Sequence, residues 1–262
     1  MRVAPRVWIG VAVVVGYSAL VVGVQAATGI NYTTWGDSAR NLFVGAGLSL
    51  IIAAVVLAIV TSLLGWWGPA LREQHRSAHR WPIITPVILA LMAVVGLTAS
   101  DWSAVSGGFL AAALVLVLVG FTEELVARGL FLVALRSRLS EVWVWLITSV
   151  VFGLMHLSNS LLGQTLDETI PQVGFAFVVG TVFYILRRTT GSLVPAMVLH
   201  GLWDFTQFIE GNGTPGPAAD FAQAFLFPVA ALAFISVAFV IRGADERLTG
   251  ATNFRTVGTT AS

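Results

Sequence analysis

The chain has 262 residues, 57% hydrophobic and only 10% charged, with a formal net charge of +1; a soluble domain carries about one charged residue in four, so an ordinary soluble globular protein is excluded and lipid is the expected solvent. Cysteine is absent and every fixed cation is arginine, because there is no lysine, which removes disulfides, thiolate metal sites and a cysteine nucleophile. The arginines stand singly or in small groups, not in a stripe that tracks phosphates, so nucleic acid is not an expected partner.

A hydrocarbon core about 30 Å thick takes about 20 apolar residues per helix. Apolar segments run over 7–25, 42–64, 83–100, 109–135, 142–160, 172–187, 193–209 and 221–241, and backbone satisfaction in lipid makes each a helix. The expected fold is all-α, a polytopic membrane bundle of about eight transmembrane helices forming one domain over 1–245, with a short polar tail over 246–262. The first segment ends near Val24-Gln25-Ala26, which resembles a leader cleavage site. Its apolar run exceeds the roughly 7–15 residues of a leader, so it is expected to remain as the first span.

Arg2 and Arg6, Arg72, Arg76 and Arg80, Arg136 and Arg138, Arg187 and Arg188, then Arg242, Arg247 and Arg255 fall on one side of successive spans. The other side carries Asp37, Asp101, Asp167, Glu168, Glu210 and Asp220, with Arg40 as its one arginine. The arginine side is read as the cytoplasm, with both termini there, in a multi-pass protein of the plasma membrane. His75 and His79 read as part of a solvated arginine-bearing loop, flanked by Trp66, Trp67 and Trp81 as interfacial aromatics. Gly36-Asp37-Ser38 resembles the serine block of some esterases, but no histidine stands in an outer loop to activate it. The Gly/Pro-rich stretch 211–217 reads as the last outer loop.

Three spans carry residues that lipid alone would reject. The fourth contains Glu123-Glu124 and Arg128, each costing about 2.5–3.5 kcal/mol near a helix centre. Glu124 and Arg128 are four apart and pair on one face, leaving Glu123 for chemistry; the plain alternative is snorkelling at the helix end. The fifth contains Phe152 and, one turn later, His156; the seventh contains Ser192 as a helix cap, Pro195 in the first turn, then His200 and Asp204 on one face. A lone buried histidine is more often structural, but polar groups on three helices in lipid converge on one another or on a water-filled cavity.

One shared site of Glu123, His156, His200 and Asp204 suits peptide hydrolysis: a carboxylate takes a proton from water, and imidazoles orient that water or steady an oxyanion. The same four residues would equally suit a divalent metal such as zinc with water in the open position. There is no His-Glu-x-x-His and no Gly-x-Gly-Asp. The alternatives are a proton-coupled transporter or binding protein, and a non-catalytic immunity or scaffold protein.

The ordered set Glu123-Glu124-x-x-x-Arg128, Phe152-x-x-x-His156 and His200-x-x-x-Asp204, within about 110–210, resembles the CPBP family of CAAX-processing and bacteriocin-processing intramembrane proteases, which includes the Rce1-type prenyl-protein endopeptidases. The resemblance implies a helical endopeptidase acting on a protein or peptide at the bilayer, prenylated in some members, near the cytoplasmic face. Glu123 would activate water, His156, His200 and Asp204 would bind water or metal and stabilise the oxyanion, and Glu124, Arg128 and Phe152 would support them. The family shows Asn or Asp at the last position, and an aspartate there is a poorer oxyanion donor than an amide. The absence of lysine suggests a GC-rich bacterial genome.

Overall fold

The computed structural model describes residues 1–74, 76–211 and 226–242; His75, Asp220, Arg247, Arg255, the tail and the Gly/Pro-rich stretch beyond Gly211 lie outside the described residues. Every regular segment among the described residues is helical. The eight expected segments coincide with α1 (Val7–Thr28), α2 (Ala39–Leu64), α3 (Trp81–Ala99), α4 (Gly107–Leu135), α5 (Glu141–Leu161), α6 (Leu166–Thr190), α7 (Val194–Gly211) and α8 (Leu226–Ile241). Six of them, α1 to α6, are long and apolar enough to cross a membrane. The helix α7 is not among the six, as a segment carrying His200, Asp204, Gln207 and Glu210 requires, and α8 contributes only the shorter apolar helix Phe227–Ile241. The chain is therefore a multi-pass membrane protein, with six candidate spans among the described residues.

Local chemistry sets the helix ends. Ser38 accepts from the Asn41 N–H at 3.1 Å, so the Gly36-Asp37-Ser38 trio begins a helix. A reciprocal Thr165–Glu168 capping box starts α6, and Gly191 ends it at φ 79°. Ser192 Oγ accepts from the Val194 N–H at 3.2 Å at the start of α7.

Successive helices run antiparallel. The Arg2 N–H bonds Leu64 O at 3.1 Å, bringing the start of α1 to the end of α2, while the Tyr32 N–H bonds Leu162 O at 2.9 Å at the opposite end of the bundle. The connection between α2 and α3 keeps Arg72, Arg76 and Arg80 exposed, yet it does not stand clear of the bundle. It folds back on the α6–α7 junction, where Leu193 N–H bonds Leu71 O at 2.9 Å, Glu73 N–H bonds Gly191 O at 3.1 Å and Ser77 N–H bonds Arg188 O at 2.9 Å. The Glu73 carboxylate, wholly buried, accepts from Arg136 at 2.8 Å, Arg187 at 2.5 Å and Arg188 at 2.9 Å. Arg136 also meets Glu141 at 2.5 Å, to which the Tyr184 hydroxyl donates at 2.6 Å. Arg136, Arg187 and Arg188 are thus buried counterions and not loop charges. Trp66, expected in an interfacial belt, is also fully buried, its Nε1–H donating to Val3 O at 2.7 Å.

The crossing of α4 and α7 positions the polar residues. A Cβ on Gly120 would strike the Met197 carbonyl oxygen and come within 2.6 Å of Gly201 N; one on Gly201 would come within 2.8 Å of Val117 O. Small residues permit such backbone approach in membrane bundles. Glu123 stands one turn beyond Gly120, and His200 and Asp204 flank Gly201, so the contact that admits only glycine also brings the three side chains together.

Gly120→Ala and Gly201→Ala should each cost about 1–3 kcal/mol through overpacking, read as a lower unfolding temperature of the detergent-purified protein. Glu73→Gln leaves Arg187 facing backbone carbonyls of Pro69, Ala70 and Arg128 where it now meets a carboxylate. Breaking a buried pair from one side costs about 3–5 kcal/mol, so this variant should fail to accumulate in membranes, measured by quantitative immunoblotting.

Candidate active site

Glu123 and Glu124 stand just before a π-helical stretch in α4, Leu125–Phe131; such wide turns are uncommon and recur at functional sites. Arg128 donates to Glu124 Oε1 at 2.8 Å with both side chains at 0% exposure, so these charges do not snorkel to water. The Arg128 guanidinium lies over the Phe152 ring at 3.9 Å. Its room comes from α6, where residue 180 is glycine: a Cβ there would strike Arg128 Nη2 and come within 3.1 Å of the Phe152 ring.

Glu124 Oε1 also lies 3.3 Å from His200 Nδ1, a loose contact that does not reach hydrogen-bond geometry. Phe183 stacks on the His200 ring at 4.8 Å and 23°. Phe152 meets both imidazoles edge-on, His156 at 5.4 Å and His200 at 5.6 Å between centroids. The His156 Nδ1 is 3.0 Å from Phe152 O; a carbonyl only accepts, so Nδ1 carries the hydrogen and Nε2 is left for chemistry.

The other His200 nitrogen, Nε2, lies 4.0 Å from Glu123 Oε2 and 3.9 Å from Asp204 Oδ1. These gaps are too long for direct hydrogen bonds and suit a bridge through one water. Glu123 Oε2 is buried and has no protein hydrogen-bond partner. Glu123, His156, His200 and Asp204 all line one cavity of about 1090 Å³, into which Glu123 and Asp204 are 18% and 30% exposed. The orienting carboxylate beside His200 Nδ1 is thus Glu124, and Asp204 faces the same nitrogen as Glu123. Among the described residues no three His, Asp or Glu side chains are placed to hold a metal ion, so the donor set in this arrangement does not fit zinc.

Several polar cavity residues are silent in the sequence. The Tyr17 hydroxyl of α1 lies 3.2 Å from Thr122 Oγ1, next to Glu123. Asn159 donates to Gln172 Oε1 at 3.0 Å, and Gln172 Nε2 donates to the Tyr32 hydroxyl at 3.1 Å. A tyrosine in mid-span was the one signal for Tyr17, and nothing in spacing points to the second set.

No curated protein and no solved structure matches the chain. Residues 105–206, which carry Glu123, Arg128, His156, His200 and Asp204, match the family model of type II CAAX prenyl endopeptidases, Rce1-like, the family that the three motifs resemble.

Proposed function

We propose that the chain is an intramembrane endopeptidase that hydrolyses a peptide bond of a membrane-associated protein or peptide by carboxylate activation of water. The family matched by 105–206 is a family of prenyl-protein endopeptidases. The observation that carries the chemistry is the Glu123 Oε2 atom, buried without a protein partner and 4.0 Å from His200 Nε2 on the cavity wall.

A water held between Glu123 Oε2 and His200 Nε2 loses a proton to Glu123 as its oxygen bonds to the scissile carbonyl carbon. Glu124, fixed by Arg128, sets the His200 ring from the Nδ1 side. His156, its Nδ1–H committed to Phe152 O, presents an accepting Nε2 to the cavity, where it takes a hydrogen bond from water or from the substrate. Asp204 holds the other side of the water site. Glu123 then returns its proton to the leaving amine as the C–N bond breaks.

Glu123→Gln should lower kcat by about 10²–10⁴-fold, the range for a positioned acid–base group, with an unchanged unfolding temperature. The assay is cleavage of a vesicle-tethered peptide substrate by the reconstituted protein, and processing at the wild-type rate would sink the mechanism. Glu124→Gln leaves the wholly buried Arg128 without its carboxylate, a cost of about 3–5 kcal/mol, so it should lower the unfolding temperature; in protein that still folds, kcat should fall more than KM rises, because His200 loses the charge beside Nδ1. Activity should persist after dialysis against a chelator; loss restored by added zinc would replace this mechanism with one in which His156, His200, Asp204 and Glu123 rearrange around a metal.

A further inference from the structure

The cavity is one-sided. Its wall runs from Glu123, Phe152, His156 and His200 to Tyr32, Gln164 and Glu168 at the end of the bundle opposite the arginines. None of the residues lining it comes from 65–83, 136–141 or 187–194, the segments that form the arginine end. In that direction the site is closed by fully buried side chains: Glu124 and Arg128, then Phe183 and Tyr184, then Arg187.

The charge asymmetry of the two ends survives removal of the buried counterions. Arg136, Arg187 and Arg188 are absorbed by Glu73 and Glu141, yet Arg2, Arg6, Arg72, Arg76, Arg80, Arg138 and Arg242 still stand at that end. The other end has Arg40 alone, with Asp37, Asp101, Asp167, Glu168 and Glu210. Retention of arginine on the cytoplasmic side sets the orientation of such bundles.

We infer that the active-site cavity opens to the non-cytoplasmic face, so that the peptide cut here enters from outside the cytoplasm. This replaces the access near the cytoplasmic face expected from the motifs. The cleavage half of the inference rests on the proposed endopeptidase function; the sidedness does not. The substrate class is then an exported peptide or the non-cytoplasmic flank of a membrane-anchored protein. The wall carries Glu123, Glu168 and Asp204 and no arginine, which favours a neutral or basic segment over an acidic one.

The natural absence of cysteine makes the test direct. Single-cysteine versions of the full chain, Glu168→Cys at the mouth, Gln207→Cys on the cavity wall and Arg138→Cys at the arginine end, are exposed to a charged, membrane-impermeant maleimide on intact cells and after permeabilisation. Glu168→Cys and Gln207→Cys should label on intact cells at the rate seen after permeabilisation, whereas Arg138→Cys should label at least tenfold faster once cells are opened. The reverse pattern overturns the inference, and so does a Gln207→Cys that labels in neither state while Glu168→Cys labels. The same labelling on a Glu123→Gln background needs no activity, so failure of the proposed chemistry leaves this result intact. In an active Gln207→Cys chain, reagent added outside should abolish processing; processing that continues after full labelling rejects entry through this cavity.

Discussion

The contact on which the site depends is the backbone-to-backbone crossing of α4 and α7 at Gly120 and Gly201. Lipid supplies no hydrophobic drive to press two helices together, so close approach and the dispersion it allows must do so. Because the crossing lies one turn from Glu123 and between His200 and Asp204, packing alone fixes the separation of Glu123 Oε2 and His200 Nε2 at 4.0 Å. A side chain at either glycine would push α4 and α7 apart and widen the gap between Glu123 and His200.

Two ionic systems lie in the bundle and their surroundings differ. Glu73 is surrounded by guanidinium groups from α4 and α6 and welds a long connection to two helix ends. Glu124 meets one arginine and spends its remaining reach on an imidazole. Charges so deep are tolerated only when paired, and the first system satisfies that demand within itself. In the second, Glu124 Oε2, Arg128 Nε and Nη2, and His200 Nδ1 have no protein hydrogen-bond partner, and the aromatic faces of Phe152 and Phe183 pack against the guanidinium and the imidazole instead.

The all-helical architecture was legible because a period of apolar runs about 20 residues long has one solution in lipid, and the three motifs were legible because charged residues within those runs are anomalous. What stayed hidden was contact between segments distant in sequence. Arg187 and Arg188 read as loop charges because nothing in their neighbourhood announces Glu73, more than a hundred residues away. Trp66 looked interfacial because its partner, Val3 O, lies on the far side of α1 and α2. The i, i+4 spacing of His200 and Asp204 is visible in a sequence, whereas the Glu124 contact to the Nδ1 side requires the α4–α7 crossing. The helix α7 stands outside the six long apolar helices for a related reason: it trades apolar residues for polar ones that line the cavity.

The opposite fates of the adjacent glutamates follow from the same geometry. Residues one apart on a helix point about 100° away from each other. With Glu124 turned to Arg128 and away from solvent, Glu123 must face the neighbouring sector, where the cavity lies. The pair therefore separates an interior that is dry, charged and paired from a chamber that admits water, and the boundary between the two runs through the His200 ring: Nδ1 faces Glu124 on the sealed side and Nε2 faces Glu123 and Asp204 on the open side. A proton on His200 is thereby coupled to both. The sealed side continues through Arg128 and Arg187 to the arginine end, so the packing that sets the His200 ring also separates the cavity from that end of the bundle.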